Sequence, residues 1–154
     1  MNKPDHSVDW VSLWNNLVKQ REAARRDEPL PDAGDRWSAR AAVYDARTRN
    51  RWAAKDTSRE FLLSLMKSLG KPTLLDIGAG SGKWAVPLAP LAASVTAVEP
   101  SPAMRARLEE NIARHNLRNI TIVPRPWPCD GLPVHDISLC SHAMYGFDDF
   151  AAFV

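Results

Sequence analysis

Hydrophobic positions recur at helical spacing through the first half of the chain, then give way to short apolar runs. Trp10, Leu13, Trp14 and Leu17 fall at i, i+3, i+4 and i+7, which predicts an amphipathic helix with Ser7 placed to cap it. Beyond Gln20 the chain turns polar, and Pro29-Leu30-Pro31-Asp32-Ala33-Gly34 reads as a loop. Trp37, Ala41, Tyr44, Thr48 and Trp52 predict a second helix. A third is punctuated at both ends. Thr57 and Glu60 form a capping box, and Phe61, Leu62, Leu65, Met66 and Leu69 supply the apolar face. Gly70 and Pro72 stop it.

From residue 73 the pattern is that of strands buried on both faces. Thr73-Leu74-Leu75-Asp76-Ile77 is the first, followed by a glycine loop and a helix over roughly 82–92 that Pro87 should kink or loosen. Ser94–Glu99 is the second strand. Ser101 then caps a helix with Pro102 at its first position and Met104, Leu108 and Ile112 stacked along it. Asn119–Val123 and Asp136–Ser141 are the third and fourth strands, and Asp148 and Asp149 open a last helix. Strand–helix alternation of this kind predicts an α/β fold with a doubly wound, mainly parallel sheet and right-handed crossovers. Residues 1–72 are expected as a helical extension that docks as a lid, and 73–154 as the sheet domain.

Charge alters this picture little. Residues 1–72 carry 14 basic and 10 acidic side chains and residues 73–154 carry 6 and 8, for a net charge of +2. That is too small to demand a polyanionic partner. Arg47, Arg49 and Arg51 form a local basic cluster that could touch phosphate, but their alternation spreads them around the helix, as on a solvated face. No apolar stretch approaches the ~20 residues of a membrane span, and no apolar signal core opens the chain. Cys129 and Cys140 fit no metal spacing and read as reduced core thiols of a cytoplasmic protein.

The chemistry lies in Asp76-Ile77-Gly78-Ala79-Gly80-Ser81-Gly82. Glycines at alternate positions between strand and helix allow a tight turn and close approach of a ligand, and the helix start offers free N–H groups. A P-loop is excluded, because Ile77 stands where its first glycine belongs and Trp84 where its hydroxyl belongs. A dinucleotide loop needs its third glycine three positions after the second, whereas Gly82 comes two after Gly80. Glu99, ending the second strand, is placed to accept hydrogen bonds from both hydroxyls of a ribose.

With Pro100-Ser101-Pro102-Ala103-Met104 behind Glu99, the stretch resembles motif I and the second-strand acid of class I (Rossmann-like) methyltransferases. The resemblance implies S-adenosylmethionine as cofactor. It implies a cofactor site of Asp76, Gly78, Ala79, Gly80, Ser81, Gly82, Glu99, Pro100, Met104 and Trp127. Gly78, Ala79 and Gly80 would line the methionine and ribose portions, with Pro100 and Met104 flanking the adenine. Family members usually place an acid after the third strand to take the adenine amino group. Here Arg125-Pro126-Trp127 stands instead, so recognition would lean on Trp127, which reads equally as a loop aromatic capping the core.

Ser141-His142-Ala143-Met144-Tyr145 aligns with the family's segment beneath the sulfonium, making His142 and Tyr145 the catalytic or substrate-contacting candidates. His142 reads as base, polar wall or structural histidine, and methyl transfer needs alignment more than a dedicated base. Trp37-Ser38-Ala39-Arg40-Ala41-Ala42-Val43-Tyr44-Asp45 resembles a helix that closes over the cofactor in small-molecule methyltransferases. Tyr44 is accordingly a lid residue or a member of the tryptophan packing face. The missing Asp/Asn-Pro-Pro-Tyr after the fourth strand argues against amino-nitrogen methylation, so the expected partner is a small-molecule methyl acceptor rather than nucleic acid. Pro128-Cys129 precedes the fourth strand and is no cytosine-C5 nucleophile motif.

The family sheet has seven strands in the order 3-2-1-4-5-7-6, and four are expected here, as in an N-terminal fragment. The fourth strand would then be an apolar edge open to self-association. A cofactor-binding module without activity is the second reading, and an RNA methyltransferase the third.

Overall fold

A computed structural model describes residues 8–25, 34–52 and 54–153. Ser7 and residues 29–33, expected as a cap and part of a loop, lie outside the described residues. The helices are α1 (Trp10–Arg25), α2 (Ala41–Arg51), α3 (Thr57–Leu69), α4 (Ala85–Leu88), α5 (Pro102–Arg114) and α6 (Phe150–Phe153); the strands are β1 (Thr73–Ile77), β2 (Ser94–Val98), β3 (Ile120–Val123) and β4 (Ile137–Cys140). The four strands form one sheet in the order β3-β2-β1-β4. All pairings are parallel, with Asp76 opposite Ala97 and Leu139, and Ile77 opposite Val98 and Cys140. This is the doubly wound arrangement expected. The loops after β1, β2 and β4 therefore emerge at the same end of the sheet.

The described residues fall into two compact units, 34–143 and 8–25 with 144–153. The division expected at residue 72 is not observed, because α2 and α3 belong with the sheet. Leu62 and Met66 of α3 are buried in a cluster with Leu74, Leu88, Val95 and Leu108. Phe61 and Leu69, expected on that face, are 66% and 50% exposed. The cap also shifts by one residue. Asp56, not Thr57, occupies the N-cap and accepts from Arg59 N at 3.1 Å, so the expected box of Thr57 and Glu60 does not form. The α5 cap is as expected, with Met104 N donating to Ser101 Oγ at 3.1 Å.

Helix α4 is a single turn followed by a 3-10 turn over Ala89–Leu91. Pro87 and Pro90, which bring no N–H, account for its brevity. Within the other unit, α1 buries Val18 and half-buries Trp14, whereas Trp10 and Leu17 are 71% and 54% exposed. Its inner face is thus rotated from the expected stripe. Specific hydrogen bonds fix that rotation: Trp14 Nε1 donates to Phe147 O at 2.9 Å, and Asn15 Oδ1 accepts from Phe150 N at 3.2 Å. Helix α1 packs with residues 144–153 in a unit of its own, while α2 belongs to the unit of the sheet. Among the described residues no helix is long and apolar enough to cross a membrane.

Candidate functional site

The site grows from the exit of β1. Asp76 is 2% exposed and accepts from Ala85 N at 3.1 Å, tying the strand end to the first turn of α4 across the glycine loop. Gly78 N and Ala79 N both donate to Val98 O, at 2.8 and 3.0 Å, which fastens the loop to the end of β2. Glu99 follows at once. Its carboxylate is buried and takes Gly80 N on Oε2 and Ser101 N on Oε1, each at 2.8 Å. One side chain thus joins the glycine loop to the start of α5.

The three loop glycines have φ of +71° at Gly78, +58° at Gly80 and +90° at Gly82, a region that favours glycine. They do different work. A Cβ on Gly78 would lie 2.3 Å from Ala143 Cβ, and one on Gly82 would lie 2.6 Å from Leu108 Cδ1. Both therefore make room for other parts of the protein. A Cβ on Gly80 would meet only Tyr44 Cε1, at 3.8 Å. Gly80 is the loop glycine whose Cβ position is not crowded by the rest of the protein. Tyr44, half-buried, forms the wall opposite, and its ring meets Trp37 edge-on at 5.2 Å between centroids.

Burial sets the electrostatics. It pushes the Asp76 carboxyl up to about 7; the Ala85 N–H opposes this and the Glu99 charge adds to it. Glu99 is raised too, chiefly by burial, against the N–H groups of Ser101 and Gly80 and the Arg105 guanidinium. Tyr44 is raised by burial and by the charges of Asp76 and Glu99, so its hydroxyl keeps its proton at neutral pH.

Residues 74–147 match the family model for a methyltransferase domain. That match, over 74 of the 154 residues, makes this part of the chain similar to methyltransferase domains. A 58-residue stretch, 38% of the chain, is 40% identical to the 23S rRNA (uracil(1939)-C(5))-methyltransferase of Chromohalobacter salexigens, of which it covers 12%. Among solved structures, the chain is similar to the precorrin-6y C5,15-methyltransferase of Geobacter metallireducens, with 26% identity and a TM-score of 0.49 over 56% of this chain and 49% of that one. It is also similar to the ribosomal protein L11 methylase of Lactobacillus delbrueckii subsp. bulgaricus, with 22% identity and a TM-score of 0.43 over 72% and 49%. The chain thus spans about half of each of those structures and much less of the curated relative.

The family implies S-adenosylmethionine, a cation whose sulfonium supplies an activated methyl group. The residues present fit that group. Gly80 presents loop backbone where a Cβ would make only an ordinary contact, with Tyr44 Cε1 at 3.8 Å. Glu99 has accepted one N–H on each oxygen, and each keeps a second lone pair for a hydroxyl. The Glu99 carboxylate suits a neutral or cationic ligand better than an anionic one.

Other expected site residues stand further back. Met104 is 1% exposed and Gly82 is buried against α5, so both act as core beneath the loop. Asp76 likewise braces the loop from within. Ala79 joins the hydrophobic cluster, and Ser81 is buried with its hydroxyl unpartnered among the described residues. Pro100 is exposed and Trp127 half-buried. His142 is exposed with φ +60°, at the carboxyl end of β4 beside Ala143. Tyr145, 46% exposed, belongs to the unit containing α1. Cys129 and Cys140, expected as core thiols, are half-buried rather than in the core. In the basic cluster, Arg47 is exposed and Arg49 pairs with Asp45 at 3.0 Å; the Arg51 side chain lies outside the described residues.

Sequence reasoning missed Asp35, Asp45, Asn111 and Ala143. The first three are polar residues whose partners lie 66 to 68 positions away. Asp45 stands in the Tyr44-Asp45 pair, which was the available signal.

Proposed function

We propose that this chain binds S-adenosylmethionine and forms the cofactor-holding part of an enzyme that methylates a small molecule. One observation carries the reading. The buried Glu99 carboxylate sits 2.8 Å from Gly80 N, at the uncrowded loop glycine that faces Tyr44. A ribose held there by its hydroxyls would leave the rest of the cofactor along the backbone of Gly78–Gly80.

A small acceptor is favoured by the modest net charge of +2 and by Ser141-His142-Ala143-Met144 in place of an amino-methylating motif after β4. The stretch shared with an rRNA methyltransferase favours RNA as the second reading. His142 and Tyr145 remain the acceptor-side candidates and Trp127 the adenine-side one. The β4 edge, paired only with β1 among the described residues, is proposed as a surface for self-association.

Calorimetric titration with S-adenosylhomocysteine tests the cofactor reading. Wild type should bind, and Glu99→Ala should weaken binding by roughly 1.5–3 kcal/mol, the scale of hydrogen bonds to a charged acceptor. Equal affinity would remove Glu99 from the ribose. Transfer of labelled methyl to a small-metabolite extract, run beside ribosomal RNA, separates the two acceptor classes. Label in the RNA alone would reject the small-molecule reading.

A further inference from the structure

Helix α2 is joined to the glycine loop through one buried amide. Asp45, 4% exposed, accepts from Asn111 Nδ2 at 2.7 Å and from Arg49 Nε at 3.0 Å. The same Asn111 nitrogen donates to the Ser81 carbonyl at 2.9 Å, and Arg114 donates to Asn111 Oδ1. Three elements meet there: α2, α5 and the residue after Gly80. A second anchor holds the segment leading into α2. Asp35 Oδ2 accepts from Ser101 Oγ at 2.9 Å and Ala103 N at 3.0 Å, at the start of α5 just beyond Glu99. Tyr44 lies between these anchors, with its ring toward Gly80.

We propose that Asp45 and Asn111 are positioning residues of the cofactor cradle, holding α2 as a fixed wall and fixing the loop at Ser81. The inference rests on the cofactor reading above. The physical reason is that Gly80 and Gly82 flank Ser81 and impose little backbone preference of their own. The loop's shape must come from what grips it, and Asn111 grips the carbonyl midway between the two glycines. The bond is buried, where a hydrogen bond is stronger and its loss leaves unsatisfied groups. Asp45 orients Asn111 by taking its amide, so cofactor affinity depends on a carboxylate that touches no cofactor atom.

The test is S-adenosylhomocysteine affinity, measured by calorimetry well below each variant's melting temperature. Asp45→Ala should bind about tenfold more weakly, a common scale for residues that act through a network. Asp45→Asn, whose amide oxygen can still accept from Asn111, should stay within about threefold of wild type. Should Asp45→Ala not fold, Asn111→Ser carries the same expectation of about tenfold. The Asp45→Ala/Asn111→Ser double variant should be no weaker than about the worse single, because both break one link. A purely structural role would lower melting temperatures and leave the affinity of folded protein unchanged. That outcome, or Asp45→Asn binding as weakly as Asp45→Ala, overturns the proposal. Failure of wild type itself to bind would instead remove the cofactor reading beneath it.

Discussion

Alanine at each loop glycine in turn should separate folding from ligand binding. All three positions have positive φ, which costs an L-residue roughly 1–2 kcal/mol. At Gly80 that is the main cost, because the nearest atom to the new Cβ is Tyr44 Cε1 at 3.8 Å, an ordinary contact. At Gly78 the Cβ would stand 2.3 Å from Ala143 Cβ, an atom carried directly on backbone. At Gly82 it would press on Leu108 Cδ1 at 2.6 Å and Val86 Cγ2 at 2.7 Å, both in buried side chains. Overpacking adds roughly 1–3 kcal/mol. Gly78→Ala and Gly82→Ala should therefore lose roughly 2–5 kcal/mol in urea unfolding, and Gly80→Ala roughly 1–2. Binding should divide them differently. Gly80→Ala puts a methyl group into the cradle and should weaken S-adenosylhomocysteine by more than about tenfold while remaining folded, since a ligand in close backbone contact has no room for it. A Gly80→Ala protein with wild-type affinity would refute the assignment of that space to the cofactor. Equal stability of the Gly78 and Gly80 variants would refute the packing argument.

Asp76 gives a pH dependence of definite sign. Folded, it holds its proton up to about 7; unfolded, it releases it near 3.8. The native state binds more protons across that interval, so stability should fall as pH rises from about 4 to about 7 and then level off. Asp76→Asn should flatten this slope in urea melts at pH 5, 6, 7 and 8; an unchanged slope would place the effect elsewhere. At the sheet edge, light scattering coupled to size exclusion should find species larger than monomer at high micromolar concentration. Ser138→Lys, at an exposed β4 position, should shift them toward monomer. A clean wild-type monomer would refute association through β4.

The order of elements could be read from the sequence because its causes are local. The switch from helical to strand periodicity at residue 73, the Ser101-Pro102 helix start and the glycine loop before α4 each depend on a few neighbouring residues. So does the place of Glu99 at the end of β2, which the parallel pairing brings beside Gly80. What each residue does there could not be read locally. Three glycines look alike in the sequence, yet Ala143 and Leu108 claim the space beside Gly78 and Gly82 and leave Gly80 uncrowded. The inner face of α1 turned away from its most apolar stripe because residues 147 and 150 offered its side chains backbone partners. Nothing in the sequence names partners for Asp35 and Asp45, and the fold supplies Ala103 and Asn111 as donors. Periodicity and capping are properties of a segment. Packing space and buried hydrogen bonds belong to pairs of segments distant in the chain, so only the tertiary structure decides them.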